Sequence, residues 1–372
     1  MTMTVATLTT LLISTVSVRF ASGDKFCFGA WGDMPYAYNG DLTGINKAVN
    51  VMENINKNDV AFSIFVGDLK DGGSPCGYVN GTVTDIYDVY SSTYDLFESA
   101  TAPVIYTPGD NEWTDCHRES NDNDSAAPLA MLDYIREVFF SDLTAYNKSF
   151  PLGGTKDNTF EIRHQEGLVE NTRWMYGGIV FVNVHVVGSN NNNAVTEGEA
   201  GDWCSRTDTD SCADQVAEYE ERTAYNLNWM AKAFDWAERQ RAKGVVVTWH
   251  ANPGFDIQET YDVVESAIGA DDGSNGFSSS LEALWGHAKN FDGEVILVHG
   301  DSHNYKGDQP FAASDWLQTL DSTVPALDNF MRIMVPGSPT VNWAQICVDP
   351  DAPALFSQRI VTVKANHNQD YW

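Results

Sequence analysis

Basic side chains are scarce in this 372-residue chain. Its 22 lysines and arginines stand against 52 aspartates and glutamates, giving a formal net charge of -30. A surface of that sign repels nucleic acid and anionic membranes at long range and gathers cations. A nucleic-acid partner is therefore not expected, and a salty extracellular setting would screen the charge. Long apolar runs are also missing. The run Val5–Val18 has 14 residues, too short for a membrane span, and no later segment is longer. There is no P-loop, no GxSxG elbow and no GxGxxG turn, which argues against the chemistries those loops serve. No two cysteines lie at CxxC spacing, which argues against a thiolate-held metal. Neither an internal repeat nor a linker-like break in composition interrupts the chain. A single domain over residues 24–372 is the expected organisation.

Residues 1–23 read as a secretory signal peptide, a short apolar run followed by the small residues Ala21, Ser22 and Gly23. Glycosylation sequons at Asn80, Asn123 and Asn147 and the presence of six cysteines agree with export to an oxidising compartment. Six cysteines allow fifteen connectivities. One of them pairs Cys204 with Cys212 across a polar loop, Cys76 with Cys116, and Cys27 with Cys347. The expected location is secreted, with no membrane span.

Strand and helix patterns alternate along the chain. Phe26–Asp33, Val60–Asp68, Ala102–Asp110, Val245–His250 and Glu294–His299 are short apolar runs of the kind buried on both faces. Trp174–Val187 reads as one or two strands turning at Gly177–Gly178, and strand-like runs return from Phe330 onward. Helical spacing marks Leu42–Lys57, residues 82–99, Pro128–Phe140, Ala213–Lys243 and Ser279–Lys289. Gly188–Cys212, rich in Asn, Asp, Gly, Thr and Ser, reads as a surface excursion or lid. The pattern indicates an α/β fold with mixed sheets.

Each of the five apolar runs ends in residues able to hold a metal: Asp33, Asp68, Asp110 with Asn111, His250, and Asp301 with His303. One Asp after a strand is usually a turn former or a helix cap. Five such endings suit a site at the carboxyl edge of a sheet. In extended backbone His299, Asp301 and His303 would share one side. Oxygens mixed with imidazoles suit Zn, Mn or Fe. His185, within VNVHVVG, reads as a buried, hydrogen-bonded histidine.

The ordered set Asp33, Gly67-Asp68-Leu69-Lys70-Asp71, Gly109-Asp110-Asn111-Glu112, Val247-Thr248-Trp249-His250 and Gly300-Asp301-Ser302-His303 resembles the calcineurin-like metallophosphoesterase superfamily, purple acid phosphatases included. The family's signatures are D-x-H, GD-x-x-D or GD-x-x-Y, GNH-D/E, an isolated His, and GH-x-H. The resemblance implies a four-layer α-β-β-α sandwich of two mixed β-sheets flanked by helices. It also implies two divalent or trivalent metal ions (Fe, Zn or Mn) and a small phosphate ester as substrate. Carried over by position, Asp33 and His303 serve one metal, Asp68 bridges, and His250 with residues 110 and 301 serves the other.

The chain departs from the pattern at several points. Position 35, usually His, is Pro, so that Asp71 is a candidate for the open place. Asp301 stands where the family has His. In strict register Asp110 is the ligand and Asn111 takes the place of the catalytic His; a shift of one residue makes Asn111 the ligand. Asn111, Glu112 and His117 are the candidate catalytic residues, with His299 a further candidate acid. Lys70, Asn111 and Arg118 are candidate donors to a phosphate. The expected function is a secreted metal-dependent phosphoesterase using a hydroxide shared by two metals. The alternative is a secreted glycoprotein that keeps the fold without catalysis.

Overall fold

The apolar runs become the inner strands of two sheets. The computed structural model describes residues 25–34, 36, 43–74, 76, 78–79, 82–83, 89–117, 127–140, 152–154, 161–193, 212–253, 255, 275–312, 326–340 and 342–363. The proposed leader, Pro35, the three sequons, Arg118, the Cys204–Cys212 pair and most of the 188–212 excursion lie outside the described residues.

The first half of the chain forms β1 (Phe26–Trp31), α1 (Thr43–Lys57), β2 (Ser63–Phe65), β3 (Tyr78–Val79), β4 (Thr82–Val83), α2 (Val89–Glu98), β5 (Val104–Tyr106), a 3-10 turn (Thr114–His117) and α3 (Pro128–Phe140). Then come β6 (Arg163–Gln165), β7 (Leu168–Tyr176), β8 (Ile179–Asn183), α4 (Cys212–Gln240), β9 (Gly244–Thr248), α5 (Ser278–Asn290) and β10 (Glu294–His299). The chain closes with β11 (Lys306–Asp308), β12 (Phe330–Met334), β13 (Trp343–Val348) and β14 (Phe356–Val361).

One sheet has the order β14-β13-β1-β2-β5 and the other β11-β12-β10-β9-β8-β7-β6. Strands β1, β2 and β5 are parallel, as are β8, β9, β10 and β12, while the outer strands run antiparallel. Alternation along each strand builds the layers. Phe28, Ala30 and Ile64 face Phe181, Val246, Ile296 and Val298 between the sheets. Trp31 and Phe65, on the other face, pack with Val51 and Ile55 of α1, Phe97 of α2 and Ile135 of α3. Val180, Val182, Val245 and Val247 pack with Trp229 and Phe234 of α4 and Leu284 of α5. Each such side chain, wholly buried, contributes about 1.5–3 kcal/mol. The result is helix, sheet, sheet, helix: the sandwich of two mixed sheets.

One helix is shorter than its sequence pattern indicates. Residues 82–99 were expected to be helical, but Thr82–Val83 pairs with Tyr78–Val79 and the helix spans only Val89–Glu98. Tyrosine and β-branched residues crowd its first half, and these lose side-chain freedom in a helix. Two disulfides join cysteines among the described residues. Cys27–Cys347 joins opposed positions of β1 and β13, and Cys76–Cys116 ties the segment after β2 to the 3-10 turn after β5.

Candidate metal centre

The parallel strands of both sheets deliver their carboxyl ends to one place. After β1 comes Asp33, after β2 Asp68, after β5 Asp110 and Asn111, after β9 His250, and after β10 Asp301 and His303. Four of these residues take left-handed backbone: Asp33 (φ 52°), Asp68 (60°), Asp301 (79°) and His303 (62°). For residues other than glycine that conformation costs about 1–2 kcal/mol each, and it collects where side chains must be aimed. The glycines of the motifs are needed for closeness. A Cβ on Gly109 would lie 2.3 Å from Asp68 Oδ1, and one on Gly300 2.6 Å from Asp33 Oδ2.

His250 is the centre of the cluster. Its Nδ1 lies 2.7 Å from the Val66 carbonyl, which can only accept, so Nδ1 carries the proton. Nε2 then faces Asp110 Oδ1 at 2.9 Å and Asp68 Oδ1 at 3.3 Å, yet it makes no hydrogen bond. Asp33, Asp68 and His250 form one group whose candidate ligand atoms lie within 4.8 Å of one another, and Asp110, His250 and Asp301 form another. His303 Nε2 is 4.0 Å from Asp33 Oδ1, and its Nδ1 is held by the Ser338 carbonyl at 2.7 Å.

Tyr36 joins the first group. Its hydroxyl donates to Asp68 Oδ2 at 3.0 Å, lies 2.9 Å from His303 Nε2, and accepts from Asn111 Nδ2 at 3.1 Å. The phenol has one proton for two acceptors, Asp68 and the bare Nε2 of His303. Tyr36 belongs to none of the sequence motifs. It reaches the cluster because its own backbone is left-handed, φ 34°, directly after Pro35.

Asn111 also stands beside Asp68, donating from Nδ2 to Oδ2 at 2.5 Å and from its backbone N–H to Oδ1 at 3.1 Å. Asp110 turns the other way, to His250 and Asp301. Its Oδ2 accepts from Ser189 Oγ at 2.7 Å, and that oxygen is also 2.6 Å from Asp115 Oδ1. Ser189 opens a run of four left-handed residues ending at Asn192, fixed by Arg222, whose Nη1 donates to Asn191 Oδ1 at 2.5 Å.

Other sequence candidates are placed apart from the cluster. Glu112 is fully buried, and its carboxylate accepts from Gly109 N–H (2.6 Å), Asp68 N–H (3.1 Å) and Tyr106 hydroxyl (2.9 Å), so it clasps the two GD turns together. Lys70, expected as a phosphate donor, is wholly buried, and its Nζ donates to the carbonyls of Asp71 (2.8 Å) and Asn111 (2.7 Å). Asp71, the candidate for the place of Pro35, accepts from Gly73 N–H (3.0 Å) and from Ser74 Oγ, as a turn former does. His299 belongs to neither group of candidate ligands. The strand ends at His299, and left-handed backbone beyond it stops the two-residue alternation. His117 closes the 3-10 turn, and its side chain lies outside the described residues. His185 is buried, with Nδ1 on Glu170 Oε1 at 2.9 Å.

Four carboxylates in one buried place raise one another's proton affinity. Burial pushes the Asp68 carboxyl well above the usual range; His250 opposes, and Asp110, Glu112 and Asp33 add to it. Burial likewise raises Asp33, and it lifts Asp301, with Asp110 adding, to about 7. Burial works against a charge on His250, but Asp68 and Asp110 outweigh it and hold the imidazole well above its ordinary value. The donor set fits cations. It offers carboxylate oxygens, two imidazoles that present Nε2 to the cluster and a phenol, with His250 Nε2 and Asp33 Oδ2 buried and without a geometrically good hydrogen bond.

No family model matches the chain, and no curated protein sequence matches it. Among solved structures it is similar to PhoD, at TM-score 0.48 and 11% identity over 92% of this chain and 69% of that one. It is also similar to GAP50, the anchor in the inner membrane complex of Plasmodium (TM-score 0.39, 11% identity, 92% of this chain and 86% of that one). A third is a 5'-nucleotidase from Candida albicans SC5314 (TM-score 0.39, 11% identity, 91% of this chain), of whose length this chain spans 51%. At these scores the likeness carries no weight for activity, and the functional reading rests on side-chain geometry.

Proposed function

We propose that this chain is a secreted phosphoesterase that uses two metal ions to hydrolyse small phosphate esters, acting as a single domain over residues 24–372 after a leader of residues 1–23. The observation that carries the reading is the convergence of His250 Nε2 with two carboxylates, at 2.9 and 3.3 Å, beside Asp33 and Asp301 in one polar cluster. That meeting needs positive charge between its members. In this reading Asp33, Asp68, His303 and the Tyr36 phenol would hold one ion, Asp110, His250 and Asp301 would hold the other, and Asp68 would serve both. Bound there, such ions acidify a water molecule and neutralise charge growing on a phosphoryl group.

The chain's own residues do the rest. Asn111, in the place of the family's catalytic His, keeps the Asp68 carboxylate and the Tyr36 hydroxyl oriented with its two Nδ2 hydrogens. Glu112 and Lys70 act as positioning residues for the turns that carry Asp68 and Asp110. The net charge of -30 repels a phosphate ester, so binding relies on the ions. Two disulfides, and the lack among the described residues of any helix long and apolar enough to cross a membrane, are compatible with secretion.

Purified protein assayed on a phosphomonoester and a phosphodiester, with its metal removed and restored, tests the activity. Turnover that disappears on chelation and returns with Fe, Zn or Mn supports hydrolysis. A chain that binds metal yet turns over neither ester supports the inactive glycoprotein instead. Tyr36 has its own test. Loaded with ferric iron, the wild-type chain should show a visible phenolate-to-metal charge-transfer band. Tyr36→Phe should lose the band while keeping its circular dichroism, and an unchanged spectrum in that variant removes Tyr36 from the site.

A further inference from the structure

A second cavity, of about 910 Å³, opens between the β6–β7 edge of the seven-stranded sheet and α4, and it shares no lining residue with the metal centre. Its character is opposite to that of the chain. Arg163, Arg173 and Lys232 line it with Glu166, three positive charges against one negative, in a protein where acids outnumber bases 52 to 22. His164, also in the lining, adds no charge near neutral pH, because burial lowers its proton affinity.

The three cations are poorly paired. Arg163 and Arg173 are directly opposed across β6 and β7, an arrangement that destabilises a strand pair by roughly 0.2–1 kcal/mol. Among the described residues the carboxylate partner of Arg163 is Glu161, at a long 3.8 Å, and both of those side chains are mostly exposed. Among the described residues neither Arg173 nor Lys232 has a carboxylate partner. The Arg173 guanidinium lies 4.1 Å above the ring of Trp229, and its Nε and Nη1 are buried without a hydrogen bond. A ring face attracts the charge but supplies no acceptor in the plane of the fork. Burial and the neighbouring Arg163 and Arg239 lower the proton affinity of Arg173, so the unliganded arrangement works against its charge.

We propose that this cavity is a second binding site for a small dianionic oxyanion, a phosphate or phosphonate group carried on a compact organic body. The net charge of the lining, two positive, matches one doubly charged group. Guanidinium forks pair with such oxygens in two-point fashion, and Trp229 with Tyr225 gives the organic body an aromatic wall. The overall charge of -30 opposes a large polyanion or an anionic membrane as the occupant.

Calorimetric titration of the full chain with phenylphosphonate tests this, because that compound has no ester to hydrolyse. The Asp68→Asn chain serves as host, so that the metal centre does not compete. It should bind, and Arg173→Met or Lys232→Met added to it should weaken binding at least ten-fold. In the wild-type chain phenylphosphonate should raise the unfolding temperature, and Lys232→Met, an exposed-helix change, should remove that rise while leaving ester turnover unchanged. Affinity within two-fold of the host in both variants, or no binding by the host, overturns the proposal. So does a Lys232→Met chain that keeps the full thermal rise.

Discussion

Asp68→Asn is expected to lower ester hydrolysis at least about 1,000-fold, a loss of roughly 4 kcal/mol of transition-state stabilisation, and to cut bound metal sharply. The chain should stay folded. Asp68 is the side chain that touches both halves of the cluster: Tyr36 and Asn111 on one oxygen, His250 at 3.3 Å from the other. Asn has the same shape but no charge, and in place of one carboxylate oxygen it presents an NH2 group, which cannot act as a ligand. Stability should not fall, because burial and the neighbouring Asp110, Glu112 and Asp33 all disfavour the Asp68 charge. With metal removed from both proteins, unfolding should therefore occur at or above the wild-type temperature. Wild-type turnover and metal content in this variant would contradict the assignment.

Arg136→Met is expected to cost about 1–3 kcal/mol of stability, because a wholly buried carboxylate loses its charged hydrogen-bond partner on a partly exposed arginine. Arg136 Nη2 donates to Glu170 Oε1 at 2.7 Å, and the Glu170 side chain is wholly buried. His185, whose proton affinity burial lowers, adds a hydrogen bond but no charge near neutral pH. Burial works against the Glu170 charge, but Arg136 and His185 outweigh it and hold its carboxyl well below the usual range. A depressed carboxyl contributes stability that is complete above its unfolded-state value, about 4.3, and is lost as pH falls below it. The gap between wild type and variant, measured by denaturant unfolding, should be widest above about pH 5 and should shrink progressively as pH falls from about 4 towards the depressed folded-state value. Adding Glu170→Gln to Arg136→Met should recover part of the loss, since the orphaned charge goes with it. A gap that stays constant with pH would show that packing, and not the ion pair, sets the cost.

The sheets were legible because alternation and β-branched runs report burial directly, as in Val245–Val247 and Val295–Val298. The ordered carboxylates and histidines at the strand ends could be read for the same reason: a strand that ends tells where its next residues must emerge. What could not be read depends on backbone beyond those ends. Tyr36 enters the cluster, and the alternation from His299 to Asp301 and His303 ends, through left-handed turns that no periodicity encodes. Lys70 looks like a solvent donor in sequence but is turned inward onto two carbonyls. The Arg136–Glu170–His185 group and the Ser189 contact to Asp110 join residues far apart in the chain, and single-residue patterns carry no trace of such pairings.

The account depends on the strand ends holding cations, and elemental analysis of the purified wild-type protein addresses that most directly. Two equivalents of iron, zinc or manganese per chain, bound as isolated or after incubation with those ions, is the predicted result. A folded chain that carries none of them and takes up none on incubation would contradict it.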